Sequence, residues 1–168
     1  RLRSAGLTPT LAAADGIREW ARLGGGPWHL AVETGMHRAG VNYIDVGALA
    51  DELRRCPPTG AFTHFHSAER DDGSVAVQEE RFRAALTQLP AVPPLLHAEN
   101  SAALVRRSPS PWGAARPGVF LYGVGSGPTA ALQPEPVAHL KARVLEVRTV
   151  ASGESVSYDA TYRARGDR

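Results

Sequence analysis

What this sequence lacks narrows the classes of protein to which it can belong. Its single cysteine, Cys56, cannot form a disulfide within the chain, which is typical of a reducing compartment. No apolar run approaches the roughly 20 residues that a membrane-spanning helix needs, and no signal peptide is recognised. Lysine and arginine (19) barely outnumber aspartate and glutamate (17), and no basic stripe carries interleaved aromatic residues. Neither membrane insertion nor nucleic-acid binding is therefore predicted.

The residues that are present describe a globular chain of alternating strands and helices. Hydrophobic residues make up 43% and charged residues 21% of the 168, enough for a sizeable core. Segments of helical period separate a series of short apolar runs that predict strands. These runs are residues 7–11, 28–32, 61–65, 95–97 and 119–122. The alternation favours parallel βα units, although it fits a closed barrel and an open sheet equally well.

The character of the chain changes after Pro128. Prolines bracket a linker, residues 137–150 are rich in β-branched side chains without a helical period, and residues 156–162 are a further strand candidate. We therefore expect two domains, residues 1–128 and residues 129–168, the second of them rich in β structure.

The segment from Arg116 to Gly123 combines an arginine, a proline, a glycine and a short apolar run. A permanently charged guanidinium at the edge of a buried strand is costly unless it has a partner. Gly118 lets the backbone approach a ligand and offer N–H groups to an anion. These features fit a charged planar ligand that carries a phosphate. The alternative is a strand entered by a turn, with Arg116 paired to a surface carboxylate.

A second anion-binding position is predicted at Asn100 and Ser101, where a strand ends and a helix begins. Free backbone N–H groups and the helix dipole favour an anion at such a place, and the Ser101 hydroxyl adds a donor. A plain N-terminal cap by Ser101 is the alternative, and the two roles are compatible, because a capping serine can also bind phosphate.

Arg38 and three histidines are the other candidate site residues. Arg38 follows a tight loop at Gly35, and its planar fork of donors suits a carboxylate or phenolate oxygen. A surface loop arginine is the alternative. His64, His66 and His97 could be metal ligands, but histidines two residues apart are weak evidence for a metal, so no metal site is predicted.

Five segments carry a resemblance to a known family, namely residues 33–40, 62–65, 97–102, 116–123 and 140–162. In this order they resemble alanine racemase, a pyridoxal phosphate-dependent enzyme of fold-type III. The resemblance implies an α/β fold: the C-terminal part, about the second half, of a (β/α)8 TIM barrel, followed by the start of the family's C-terminal β domain. It also implies that the chain is an internal fragment of such an enzyme.

Roles for individual residues follow from the resemblance. Arg38 is implied to lie near the phenolic oxygen of the cofactor and the substrate carboxylate, and Arg116 to contact the pyridine nitrogen with support from His64. Tyr158 is implied to move the proton on the L face of the substrate, reaching into the site of the partner subunit. The residues implied to hold pyridoxal 5'-phosphate are His64, Asn100, Ser101, Arg116, Gly118 and Val119, with Ser101 and the last two at the phosphate.

The intact enzyme is implied to be a cytoplasmic homodimer that interconverts L-alanine and D-alanine for peptidoglycan. Two positions depart from the family: Ala31 stands where a carbamylated lysine often orients the arginine, and Asp159 stands where a glycine usually follows the tyrosine.

The lysine that binds the cofactor is expected on the family's first barrel strand. The only lysine here is Lys141, in a predicted strand of the β domain. The isolated chain is therefore expected to be inactive. A non-catalytic pyridoxal phosphate-binding barrel protein and an inert truncated product are the alternatives.

Overall fold

The computed structural model describes residues 2–107, 109–125, 132–137 and 139–167. The chain divides into two compact units, Arg1–Ala138 and His139–Arg168, which are described separately.

A parallel sheet forms the centre of the first unit. Its strand order is β1-β2-β4-β5-β6, and β3 pairs in parallel with the carboxyl end of β2. The strands are β1 (Thr10–Leu11), β2 (His29–Glu33), β3 (Val41–Asn42), β4 (Gly60–Phe62), β5 (Leu95–Glu99) and β6 (Ala114–Ala115). Every pairing in this sheet is parallel, which confirms the predicted α/β class.

Four helices connect these strands: α1 (Ala14–Arg22), α2 (Ala50–Arg55), α3 (Ser74–Leu86) and α4 (Ser101–Arg106). A 3-10 turn, Val46–Leu49, leads directly into α2. Helix α1 buries Ile17 and Trp20, three residues apart and therefore on one face. This spacing agrees with the helical period of the sequence between the first two apolar runs.

Because side chains alternate along each strand and the strands are in register, the sheet has one face that packs against the helices and a second, opposite face. Leu30, Ala61 and Leu96 are in register and pack in the hydrophobic core with the helices. Their neighbours Ala31 and Phe62 alternate to the other side, as His97 does. Fully burying a leucine or phenylalanine contributes about 1.5–3 kcal/mol, so the core fixes this register and with it the second side.

One predicted strand is wrong. Residues 119–122 form a 3-10 turn, Val119–Tyr122, and the last strand of the sheet is instead Ala114–Ala115. The Ser101 hydroxyl accepts hydrogen bonds from the N–H groups of Gly118 and Phe120, at 2.8 and 3.3 Å, which draws this segment onto α4. A contact between distant parts of the sequence therefore overrides the local β-propensity.

The second unit contains a short antiparallel pair, β7 (Ser155–Val156) and β8 (Tyr162–Arg163). The single strand predicted over residues 156–162 is interrupted by a 3-10 turn, Tyr158–Ala160, with positive φ at Asp159 and Ala160. The β-rich stretch predicted over residues 137–150 is also wrong, because residues 139–150 contain neither helix nor strand. Ala138 and residues 126–131 lie outside the described residues.

Candidate active site

An open pocket of about 370 Å³ lies at the carboxyl ends of strands β4 and β5. Strand ends at this edge of a parallel α/β fold are the usual place for a ligand site. The pocket brings together all the residues predicted to hold a cofactor. They are His64, Asn100, Ser101, Arg116, Gly118 and Val119.

The Arg116 guanidinium is held by three main-chain oxygens and two histidine nitrogens. Its Nη2 donates to the carbonyl oxygens of Thr63 at 2.6 Å and Ala98 at 3.4 Å. Its Nη1 donates to the carbonyl oxygen of His97 at 3.2 Å and to the Nδ1 of the same residue. The guanidinium carbon lies 4.6 Å from the centre of the Phe62 ring. The surface carboxylate considered as a partner is absent, because no described acidic residue forms an ion pair with Arg116.

The histidines around Arg116 are neutral acceptors. Burial, then the charge of Arg116 and the neighbouring His29, lower the pKa of His97 to about 4. Burial, then the charges of Arg116 and Arg38, also lower the pKa of His64, whose Nδ1 lies 3.5 Å from Arg116 Nη2. Burial lowers the pKa of Arg116 itself to about 10, so it stays charged at neutral pH. Arg116 therefore places a positive charge in the pocket that has no ion-pair partner among the described residues; Glu69, which also lines the pocket, pairs with Arg70 instead.

Ser101 is the first residue of α4, and its hydroxyl oxygen is already an acceptor. Both lone pairs are used by the N–H groups of Gly118 and Phe120. The hydroxyl hydrogen then points away from these donors and can be given to a ligand. The predicted phosphate contact at the Gly118 N–H changes accordingly, because that group donates to Ser101 here.

Asn100, and not Ser101, is the N-cap of α4. Its side-chain oxygen accepts from the N–H of Ala103 at 3.0 Å, and its amide nitrogen donates to the carbonyl oxygen of Phe65 at 3.0 Å. Asn100 thus ties the start of α4 to the chain that follows β4, and it sets the place of Ser101.

Arg38 lines a second, smaller cavity of about 140 Å³, which shares His64 with the first. The loop that carries Arg38 is anchored by Glu33, whose carboxylate accepts from the N–H groups of Gly35 and Arg38. Burial alone would raise the pKa of Glu33, but hydrogen bonds from the loop N–H groups and the nearby His37 hold it below its ordinary value. Asn42, at the end of β3, accepts from the Ile44 N–H at 3.3 Å.

Gln78 is a site residue that the sequence analysis missed. It is 1% exposed on α3 and joins two loops of the site. Its Nε2 donates to the Thr34 hydroxyl at 3.1 Å and to the His64 carbonyl oxygen at 3.0 Å, and its Oε1 accepts from the His66 N–H at 3.0 Å. The available signal is a glutamine among the apolar positions of an amphipathic helix, which predicts a buried, hydrogen-bonded side chain.

The remaining predicted residues belong to the second unit. Tyr158 begins a 3-10 turn and is 93% exposed. Lys141 lies in a stretch without helix or strand, so its predicted strand is wrong.

Within the described part of the chain, no group of three His, Cys, Asp or Glu residues could hold a metal ion. Among the described helices, none has the length and apolar character to cross a membrane.

The fold is thus a parallel α/β sheet whose carboxyl edge carries a pocket lined by an arginine and a serine, at the edge where such folds usually bind ligands. Residues 1–126 match the family model described as "Alanine racemase, N-terminal domain". The chain therefore belongs to the alanine racemase family.

Relatives agree with this assignment. Alanine racemase 1 of Bacillus subtilis (strain 168) is 34% identical over 175 residues, covering 96% of this chain and 44% of the relative. The solved alanine racemase of Streptomyces coelicolor A3(2) is 28% identical with a TM-score of 0.74, covering 99% of this chain and 49% of the other. A likeness in fold extends to the Bartonella henselae enzyme with covalently bound pyridoxal phosphate, at 23% identity and a TM-score of 0.77. That match covers 99% of this chain and 48% of the Bartonella chain.

The chain thus spans less than half the length of these relatives. Its parallel sheet with connecting helices fits the barrel expected for the family.

Proposed function

We propose that this chain supplies one part of the pyridoxal phosphate site of an alanine racemase, the enzyme that interconverts L-alanine and D-alanine. The observation that carries the proposal is the shared pocket of Arg116 and Ser101 in a member of this family. One residue offers a fixed cation and the other a hydroxyl donor, as a phosphorylated pyridine requires.

The residues present fit such a ligand. Among the five N–H groups of the guanidinium, four have acceptors in the described residues, and only the Nε–H of Arg116 has none. That N–H suits a ring nitrogen that carries a lone pair. The Ser101 hydroxyl hydrogen suits a phosphate oxygen, and so does the N–H of Val119, which has no acceptor among the described residues.

Arg116 determines the protonation state of the ring nitrogen in this proposal. When it is bound, pyridoxal phosphate supplies an electron-withdrawing ring that makes the α-hydrogen of an attached amino acid acidic. A guanidinium whose pKa is about 10 donates a hydrogen bond and gives up no proton at neutral pH. The ring nitrogen therefore stays unprotonated, which limits charge delocalisation and favours return of the proton to the α-carbon.

Arg38 and Tyr158 are assigned to the substrate. Arg38 is exposed and has no ion-pair partner among the described residues, so it is available to a carboxylate or a phenolic oxygen. Tyr158 is assigned to proton transfer on the L face of the substrate in the partner subunit of a homodimer. Its 93% exposure leaves the phenol accessible to a partner.

The chain is further proposed to form about the second half of the barrel, with the cofactor-binding lysine supplied by sequence outside these 168 residues. Lys141 lies in the second unit and is not assigned to this role. The 168-residue chain alone is then inactive, and the intact enzyme makes D-alanine for peptidoglycan in the cytoplasm. The β7–β8 pair favours a racemase with a β domain over a non-catalytic barrel carrier, which lacks one.

Binding of pyridoxine 5'-phosphate tests the proposal, because this alcohol cannot react with amines. We expect isothermal titration calorimetry to detect binding to the 168-residue chain, with inorganic phosphate as a competitor. Ser101→Ala should weaken binding about tenfold or more, because a hydrogen bond to a charged group is lost. Ser110→Ala is the matched control, since the Ser110 hydroxyl also accepts a backbone N–H, that of Trp112, but does not line the pocket. Equal affinities of the two variants, or no binding at all, would contradict the proposal.

A further inference from the structure

A row of three side chains runs from the pocket into the sheet. Nδ1 of His29 lies 3.0 Å from Nε2 of His97, and the other ring nitrogen of His97, Nδ1, contacts Nη1 of Arg116. The three residues come from β2, from β5 and from the chain after β6. Both nitrogens of His97 are therefore engaged, one by a histidine and one by an arginine.

The direction of each hydrogen bond in this row follows from the chemistry of Arg116. A guanidinium has donors and no acceptor, so Nδ1 of His97 must present its lone pair to it. A neutral imidazole then carries its proton on Nε2, and this N–H donates to Nδ1 of His29. Burial, then Arg116 and His29, lower the pKa of His97 to about 4, which makes the neutral ring the relevant form at neutral pH.

Gly60 makes room for the row. His29, Gly60 and Leu95 are in register across β2, β4 and β5. A Cβ placed on Gly60 would lie 2.7 Å from Nε2 of His29, a distance that side chains do not tolerate. The missing side chain therefore lets the His29 ring lie across β4 toward His97.

We propose that His29 is a positioning residue, which accepts from Nε2 of His97, stabilises the tautomer that receives Arg116 and thereby helps to leave the Arg116 Nε–H for a ligand. Its role at the ligand depends on the function proposed above. Arg116, which can only donate, favours the same tautomer from the other side of the ring, and the remaining contacts of the row do not. Phe62 stacks on His97 with ring centres 4.9 Å apart, and carbonyl oxygens fix Arg116, but neither distinguishes one imidazole tautomer from the other. In the opposite tautomer two N–H donors would face each other, and the guanidinium would have to turn away.

Nitrogen NMR of the 168-residue chain, with labelled histidine and arginine and without any ligand, tests the first step. We expect His97 to be protonated at Nε2 alone near neutral pH, with a scalar coupling across the hydrogen bond to Nδ1 of His29. This measurement needs no variant. A His97 protonated at Nδ1, or a mixture of the two tautomers, would overturn the proposal.

Variants test the selection itself. His29→Leu removes the acceptor and should shift the tautomer ratio of His97 about fivefold, as expected for one lost hydrogen bond. It should also change the Arg116 guanidinium signals. His29→Asn keeps an acceptor oxygen near the position of Nδ1 and should restore both. Gly60→Ala, which displaces the ring of His29 while keeping its imidazole, should resemble His29→Leu. The same substitution at an exposed histidine, His66→Leu, is the control and should leave His97 unchanged.

Affinity for pyridoxine 5'-phosphate separates this inference from the proposed function. If both are right, His29→Leu weakens binding several-fold and His29→Asn recovers it. If the unaltered chain does not bind this probe, the proposed function fails, while the tautomer measurements still decide the role of His29. Unchanged NMR signals in His29→Leu would overturn the positioning role whatever the affinity is.

Discussion

Replacing Gln78 by leucine tests how the two site loops are held. Leucine has nearly the same size and suits the apolar face of α3, so the change removes hydrogen bonds without opening a large cavity. Three bonds are lost, to the Thr34 hydroxyl, the His64 carbonyl oxygen and the His66 N–H. Thr34 keeps a second partner, the Thr63 hydroxyl at 2.6 Å. The groups of His64 and His66 have no such substitute among the described residues.

The expected cost is about 2–4 kcal/mol in the free energy of unfolding. A net contribution of about 1 kcal/mol for each bond gives the lower part of this range, and the desolvation of two backbone groups left without partners gives the upper part. Urea denaturation should show a lower midpoint with an unchanged slope, because the same surface is exposed on unfolding.

Gln88→Leu is the matched control for this prediction. Gln88 follows the C-cap of α3 and also joins this part of the chain to a loop, through the Tyr43 carbonyl oxygen at 2.7 Å and the Gly47 N–H at 2.9 Å. It is only partly buried, so water can replace its hydrogen bonds and the cost should stay below about 1 kcal/mol. Equal costs at Gln78 and Gln88 would refute the reasoning from burial.

Two further predictions concern charge. Glu79→Ala should lower the free energy of unfolding in urea by about 2–4 kcal/mol, because Glu79 forms a shielded, two-bond ion pair with Arg107. Asp51→Ala, which breaks the exposed pair with Arg54, should lower it by less than about 0.5 kcal/mol. Similar losses in the two variants would contradict this prediction. The free energy of unfolding should also fall as the pH drops. The unfolded chain takes up a proton at His97 below the ordinary pKa of 6.5, whereas the folded chain does so only near the lowered pKa of about 4. The contribution of His97 to stability is therefore complete above pH 6.5 and declines as the pH falls toward 4. The loss is at most about 3 kcal/mol, and His97→Gln should flatten the curve of urea midpoint against pH.

Much of the fold could be predicted because local patterns decide it. The apolar runs before Glu33 and Phe65 and the helical period of α3 each fix which side of an element is buried, and burial fixes the register. The 3-10 turn at Val119–Tyr122 could not be predicted in this way. The turn depends on Ser101, which lies 18 residues before Val119. The Ser101 hydroxyl accepts hydrogen bonds from two N–H groups at the start of this turn.

The candidate site was predictable in its residue types but not in its partners. The sequence predicts that Arg116 needs a ligand or a carboxylate, because an unpaired guanidinium is costly. In the structure, Arg116 instead donates hydrogen bonds to three carbonyl oxygens near the ends of β4 and β5, those of Thr63, His97 and Ala98. Every residue has a main-chain carbonyl oxygen, so the residue types in the sequence do not predict which of these oxygens will bind Arg116.

This choice of partners bears directly on what the pocket can bind. Carbonyl oxygens and neutral histidines solvate the Arg116 guanidinium without cancelling its charge, whereas a carboxylate would cancel it. Arg38 beside the neighbouring cavity also has no ion-pair partner in the described part of the chain, and both charges act on His64, which lines both cavities. Two cations without an ion-pair partner among the described residues favour a ligand with at least one negative group, and a phosphate near Ser101 together with a carboxylate near Arg38 would pair with them. The position of the charges therefore favours a phosphorylated cofactor with an amino acid bound beside it over a neutral small molecule.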